Sequence, residues 1–385
     1  MVPAGAHSSS ITDMARFMIA HLQDGRYSDA EITEERILEE STVQQMHSTL
    51  YTPDPRLLGN AYGFFEFSDN GQRTLGHSGG TLGFTALLLL LPDENLGVFV
   101  AYNSDGSGGL TTQHFGFQRV FFDHYYPAPA AEPIQPPADF AERAGRFAGS
   151  YRITQSAYTT LEKIANLMTP VEISDLGDGT LLFTIYGIEV RLVEVEPLYF
   201  RQTDGPLGIV FREDDRGRIT HMYADLSPQY AYEKLNWYET PRFNLVLALV
   251  CVLIFLSMIP VVSVLAIRNR HPNSDRKPAS RCASMAYWTI LGISVLNLLF
   301  VVGAVLMLFF NLGFPRFGVS LIYRIVLGLG VLSALLTAGA LVYMALAWKN
   351  SYWSIAARVY YTLVTVAAVA FVWFLNYWNL VGWRF

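Results

Sequence analysis

The run Leu75-Gly76-His77-Ser78-Gly79-Gly80-Thr81-Leu82-Gly83-Phe84 sets an imidazole and a hydroxyl beside two adjacent residues that lack a Cβ. On a strand, glycines at 79 and 80 let a ligand approach the main chain without side-chain collision. The same residues also read as an ordinary strand histidine followed by a glycine pair at a bulge. Other candidates carry less chemistry. Ser104-Asp105-Gly106-Ser107-Gly108-Gly109 precedes a predicted helix but lacks the Gly-Lys-Ser/Thr of a phosphate loop, so it reads as a flexible loop. His114 and His124, with Asp123 beside the latter, miss the four-residue spacing that places two metal ligands on one helix face. No His-Glu-x-x-His occurs, and neither a metal nor another cofactor is expected. Cys251 and Cys282 both lie beyond residue 240, so the polar part of the chain has no thiols for a disulfide or a cysteine metal site.

Several elements must hold the His77 run in place. Ile11 to Leu22 is an amphipathic helix pattern with Met14, Phe17, Met18 and Leu22 on one face and Ser10 with Asp13 as a capping box. Strand patterns start at Ala61 and at Arg73, separated by the turn Asp69-Asn70-Gly71. A hairpin follows, FTALLLLL and LGVFVAYN around Pro92-Asp93-Glu94-Asn95, and then a helix from about Leu110 to Tyr125. Residues 127–139, rich in Pro and Ala, form a linker. Residues 140–240 alternate in short segments with turns at Gly177-Asp178-Gly179, Asp204-Gly205 and Asp214 to Gly217, the pattern of a small antiparallel barrel or sandwich without a chemical constellation of its own.

The charge divides the chain of 385 residues. Residues 1–240 hold 32 acids and 16 bases, net −16, whereas residues 241–385 hold 11 bases and one acid, Asp275, net +10. The acidic first part argues against a nucleic-acid partner, which would require clustered Lys and Arg. Hydrophobic residues make up 51% and charged residues 16% of the chain, too apolar for an ordinary soluble enzyme. Four long apolar runs, at about 243–267, 284–310, 325–348 and 356–380, each exceed the roughly 20 helical residues needed to cross a bilayer. The first connection carries Arg268, Arg270, Arg276, Lys277 and Arg281, the third Lys349 and Arg358, the second only Arg316 and Arg324. The excess of bases puts the first and third connections in the cytoplasm and residues 1–240 on its other side, in a multi-pass protein of the cell membrane. Pro260 predicts a kink, and the absence of charge within the runs disfavours a transporter.

The segment around His77 resembles the third motif of the penicillin-recognising serine hydrolases, the β-lactamase, DD-peptidase and class C β-lactamase-like superfamily. There Lys or His, then Ser or Thr, then Gly lies on the strand that walls the active site. Pro3-Ala4-Gly5 and Ser10 to Met18 are similar to the Pro-Ala-Gly turn and following helix of that family, and Leu91-Pro92-Asp93 through Asn103 to its closing hairpin. Tyr151-Arg152 and Thr159 to Lys163 resemble the barrel that often follows such hydrolases. The resemblance implies that His77 and Ser78 face a substrate carboxylate or carbonyl, and that the Gly80 N–H is one of two oxyanion-hole donors, with Gly79 giving access. It implies an acyl-enzyme formed on serine and a peptide, amide or ester substrate.

The family mechanism also needs a nucleophilic Ser with a Lys one helical turn on, and a Tyr-x-Asn or Ser-x-Asn loop. Family members carry both upstream of the Pro-Ala-Gly turn. Ser274-Asp275-Arg276-Lys277 and Tyr377-Trp378-Asn379 match the patterns, but they fall in the first connection and at the end of the last apolar run, and are read as chance. MVPAGAHSSSITDMARFM holds no basic segment followed by an apolar one, so the expectation is a hydrolase fragment whose export signal and nucleophile lie upstream. The expected organisation is residues 1–126 as the C-terminal part of an α+β hydrolase domain, 127–139 as linker, 140–240 as barrel and 241–385 as four membrane helices. The rival reading is a non-catalytic membrane protein whose degenerate hydrolase domain binds a ligand or partner. Residue patterns leave the oligomeric state open.

Overall fold

The computed structural model describes residues 7–27, 35–81, 83–104, 110–128, 134–169, 171–185, 187–225, 228–269, 280–309 and 319–385. It forms two compact units, one of Met1–Gln155 with Val171–Lys234, the other of Ser156–Pro170 with Leu235–Phe385.

The first unit opens with helix α1 (Ile11–Leu22), capped as its sequence predicts by Ser10, whose hydroxyl oxygen accepts from the Asp13 N–H at 3.1 Å. A short helix α2 (Glu40–His47), carrying the single buried apolar residue Val43, has no periodic signal in the sequence. A six-stranded antiparallel sheet follows in chain order: β1 (Thr49–Tyr51), β2 (Asn60–Ala61), β3 (Phe65–Asp69), β4 (Gln72–Thr81), β5 (Phe84–Leu91) and β6 (Leu96–Tyr102). The β3–β4 turn is Asn70-Gly71, both left-handed at φ 50° and 82°, as a two-residue hairpin requires. Why β5 is an almost unbroken leucine run becomes clear from its two faces. Leu88 and Leu90 pack with Met18 of α1, and Leu87, Leu89 and Leu91 with Phe122 of helix α3 (Leu110–Tyr125), so both faces of this strand are core. Truncating Leu89 or Leu90, each fully buried, to Ala would cost about 2–5 kcal/mol.

The same unit contains a closed barrel of eight antiparallel strands, not a sandwich: β7 (Gly149–Ile153), β8 (Val171–Asp175), β9 (Leu181–Ile185), β10 (Ile188–Glu196), β11 (Tyr199–Gln202), β12 (Gly208–Glu213), β13 (Ile219–Ala224) and β14 (Ala231–Lys234). Closure pairs β14 with β7 and removes the exposed edges. Phe140 of the four-residue helix α4 (Phe140–Arg143) and Phe147 fill the interior against Phe200 and Phe211, with ring centroids 5.0–5.9 Å apart. Buried Glu194 is neutralised by Arg143 and accepts from the Leu198 N–H at 3.1 Å. The Asp225 carboxylate ties the barrel to the sheet, accepting from the N–H of Leu58 at 2.8 Å and of Gly208 at 3.1 Å.

The second unit contains four helices long and apolar enough to cross a membrane: Pro241–Val264, Arg281–Met307, Leu321–Lys349 and Ile355–Tyr377. The first is built from α5 (Pro241–Leu256) and α6 (Met258–Asn269), interrupted at Ser257. Pro260 has no N–H to donate to the Leu256 carbonyl, which is the physical cause of the interruption. The others are α7 (Arg281–Phe309), α8 (Leu321–Lys349) and α9 (Ile355–Tyr377). The chain is thus α+β with an all-β barrel and an apolar helical region. The 3₁₀ segment Leu161–Leu167, which the sequence reading assigned to the barrel, belongs to this helical unit. Leu161 and Leu167 join its core, and the Lys163 ammonium lies 3.9 Å from the Tyr377 ring centre and donates to the Tyr377 carbonyl at 2.7 Å.

Candidate functional site

His77, Ser78, Gly79 and Gly80 all lie on β4, and the strand changes character at His77. Thr74, Leu75 and Gly76 are buried, and the four residues after them are exposed. On one side β5 pairs with β4 through to Thr81↔Phe84; on the other, β3 pairs only as far as Phe65↔Gly76. His77 to Thr81 therefore have a strand neighbour on one side only, among the described residues.

The hydrogen bonds fix which groups face the open side. The Glu66 N–H donates to the Gly59 carbonyl at 3.0 Å, so the polar groups of Glu66 face β2 and those of Phe65 and Phe67 face β4. Phe65 is opposite Gly76, so Gly76 faces β3, and by alternation Ser78 and Gly80 turn their N–H and C=O groups to the open edge. Successive side chains leave a strand on opposite faces, so the imidazole and the hydroxyl flank that edge. The His77 ring stacks on Phe65 at 4.9 Å between centroids, and its Nδ1–H donates to the Ser78 carbonyl at 2.6 Å. In the neutral ring this leaves Nε2 as the basic nitrogen. The edge thus presents two outward amide donors, from Ser78 and Gly80, with an imidazole beside them. Such an array can bind a carbonyl, a carboxylate or an extended peptide main chain.

The remaining sequence candidates are not gathered here. Asp105 to Gly109, Pro3-Ala4-Gly5, Ser274 to Lys277 and the His114 side chain lie outside the described residues. Asp123 accepts from Asn70 at 3.0 Å and pairs with Arg119, and the exposed His124 packs against Tyr125. Tyr377, Trp378 and Asn379 are structural within the helical unit. The Trp378 indole donates to Asn244 at 2.9 Å, and the Asn379 amide donates to the carbonyls of Tyr158 and Thr160, each at 2.9 Å. Among the described residues no three His, Cys, Asp or Glu side chains converge as metal ligands would.

One cluster escaped the sequence reading. His21 of α1, 2% exposed, and His47 of α2 approach at 3.3 Å between Nδ1 and Nε2, so one N–H donates to the other ring's bare nitrogen. Burial lowers the His21 imidazole to about 4, reinforced by His47. Burial and then Arg73 lower His47 as well. Arg73 donates to the His47 carbonyl at 2.7 Å and to Glu66 at 2.6 Å. Burial would push the Glu66 carboxyl up, but Arg73, the Thr49 hydroxyl and the Gly59 N–H outweigh it and hold it below the usual carboxylate range. The pair is separated by 26 residues and one partner sits on the unsignalled α2, so no local pattern announces it.

Residues 1–119 match the family model Beta-lactamase. None of the curated proteins compared matches the chain. Among solved structures, the crystal structure of SurE with D-Leu is 19% identical, with a TM-score of 0.36 over 59% of this chain and 50% of that one. A second structure of SurE is 20% identical, with a TM-score of 0.34 over 59% and 48%. The octameric penicillin-binding protein homologue from Pyrococcus abyssi is 16% identical, with a TM-score of 0.25 over 59% and 47%. The chain spans about half the length of these structures. The Beta-lactamase match covers residues 1–119, the part of the chain that holds the His77 strand and the other landmarks on which the resemblance rests.

Proposed function

We propose that this chain is part of a membrane-anchored serine hydrolase that acts on a peptide, amide or ester through an acyl-enzyme. The open edge of β4 carries the proposal, because it lies in the β-lactamase-type region and presents the Gly80 N–H outward. In this reading a substrate lies along the edge, its main chain taken up by Ser78 and its reacting carbonyl by Gly80. The Gly80 N–H steadies the oxyanion that forms when the nucleophile attacks. The imidazole of His77 stands where a substrate carboxylate or leaving group would be held. The reading requires a nucleophilic serine and its lysine to complete the site, and it puts residues 1–240 on the extracytoplasmic side.

A fluorophosphonate or a fluorescent penicillin tests this, because only a serine nucleophile is trapped covalently. The probe is applied to membranes holding these residues alone and to membranes holding them together with whatever the reading frame encodes upstream of Met1. Labelling of the longer product supports the hydrolase. Absence of labelling in both favours the rival, a binding module that uses the same strand edge without catalysis.

A further inference from the structure

The interruption at Ser257 is accompanied by a cavity in the helical unit. Ser257 shares a hydrogen bond of 2.8 Å with the Tyr360 hydroxyl of α9. Beside this bond lies a space of about 200 Å³ lined by Met258 and Val261 of α6, Tyr287 and Ile290 of α7, Trp353 just before α9 and Tyr361 in its second turn. Its walls are almost wholly apolar. Sites for folded small molecules usually measure about 300–1,000 Å³. An apolar cavity of about 150 Å³ stays dry and admits a hydrocarbon the size of benzene. This space therefore suits a length of hydrocarbon chain, and between helices that cross a bilayer the hydrocarbon at hand is lipid.

The charges at the same end state which lipid. Arg281 begins α7, Lys349 ends α8 and Arg358 stands in the first turn of α9, one residue from Ala357 on the cavity wall. Residues 241–385 hold 11 bases against one acid, Asp275, so this end has almost no counter-charge of its own. Arg358 makes only neutral contacts among the described residues: a 3.4 Å bond to the Ser351 hydroxyl and a position 5.0 Å above the Trp348 ring. Its Nε–H is buried and has no hydrogen-bond partner among the described residues. A guanidinium with an unmet donor, beside an apolar slot at the level of the tryptophans that mark a membrane interface, fits a phosphate on a chain.

We propose that the cavity between α6, α7 and α9 binds an acyl chain of an anionic phospholipid, with Arg358 holding its phosphate. The test uses the full chain in phosphatidylcholine nanodiscs containing a minor fraction of phosphatidylglycerol that bears a diazirine in one acyl chain. Irradiation and peptide mapping then locate the label. The expected result is preferential labelling of the peptides containing Tyr287 and Tyr360 over the outward α8 peptide containing Leu335 and Val342. Ala357→Trp fills the space and brings their labelling down to the α8 level. Arg358→Gln removes the preference for phosphatidylglycerol over phosphatidylcholine carrying the same diazirine. A melt of each variant in the same discs reports folding, and Ala357→Leu replaces the tryptophan variant if that one fails to fold. Label spread evenly over all outward helix faces overturns the proposal, as does equal labelling by the two lipids in the unsubstituted protein.

Discussion

Gly76 and Gly79 stand three residues apart on β4 in opposite surroundings. A Cβ on Gly76 would lie 2.5 Å from the Leu88 carbonyl oxygen, whereas a Cβ on Gly79 would meet nothing within 4 Å. The strand passes between these positions from packed core to open edge. Gly76→Ala should therefore destabilise the protein by about 1–3 kcal/mol, read as a lowered melting temperature. Gly79→Leu should leave stability within about 0.5 kcal/mol while obstructing whatever approaches the edge.

Gly80→Pro separates main-chain chemistry from folding. Proline is tolerated where the lost N–H faces away from the ladder, and the Gly80 N–H faces the open side. If the fluorophosphonate labels the longer product and the Gly80 N–H is an oxyanion donor as proposed, its acylation rate should fall by about 10²–10³ in this variant with the melting temperature little changed. An unaltered rate would remove Gly80 from the oxyanion hole.

His21 and Asp225 should give the first unit opposing pH slopes. The His21 imidazole is held at about 4 against 6.5 when unfolded, so its contribution is fully present above pH 6.5 and is lost as the pH falls toward 4. Burial raises the Asp225 carboxyl to about 6 from 3.8, against the pull of the Leu58 and Gly208 N–H bonds. Its contribution is fully present below 3.8 and is lost as the pH rises through 6. Chemical denaturation from pH 4 to 7 should show His21→Leu removing a rise in stability with pH, and Asp225→Asn removing a fall.

Cys282 is exposed at the start of α7 and Cys251 is buried in α5. If the excess of bases orients the first connection toward the cytoplasm, a membrane-impermeant maleimide should leave intact cells unlabelled and modify Cys282 once they are opened. Modification in intact cells would reverse the orientation.

Asn297 of α7 is fully buried, with neither end of its amide hydrogen-bonded among the described residues. A polar group left unsatisfied in an apolar interior costs free energy, so Asn297→Leu should raise the melting temperature in detergent, by on the order of 1 kcal/mol in stability. A lowered melting temperature would mean that the amide has a partner, such as a buried water.

The sequence carried what local periodicity encodes. Helix α1 with its Ser10 cap, the β5–β6 hairpin around Pro92 and all four apolar helices lie where their patterns put them, and Pro260 breaks its helix. The barrel was expected from the resemblance of Tyr151-Arg152 and its surroundings to the domain that often follows such hydrolases; the alternation of residues alone fits a sandwich equally well, because the two differ only in whether β14 finds β7. At the candidate site the residue types were visible. The open edge was not, since it depends on β3 ending opposite Gly76. The register of one strand against another is a long-range property that neither His77 nor its neighbours announce.

The chain leaves the first unit after Gln155, contributes Leu161, Lys163 and Leu167 to the helical unit, and rejoins the barrel at Val171. Counting the final passage after Lys234, the backbone crosses between the two units three times. Modular exchange through a single junction is therefore closed to this protein. A version ended at Lys234 keeps a 3₁₀ segment whose Leu161 and Leu167 belong to the core of the helices, and helices grafted alone lack the segment that completes that core. Recombination would have to carry residues 156–170 together with the helices, spliced between two strands of whatever barrel received them.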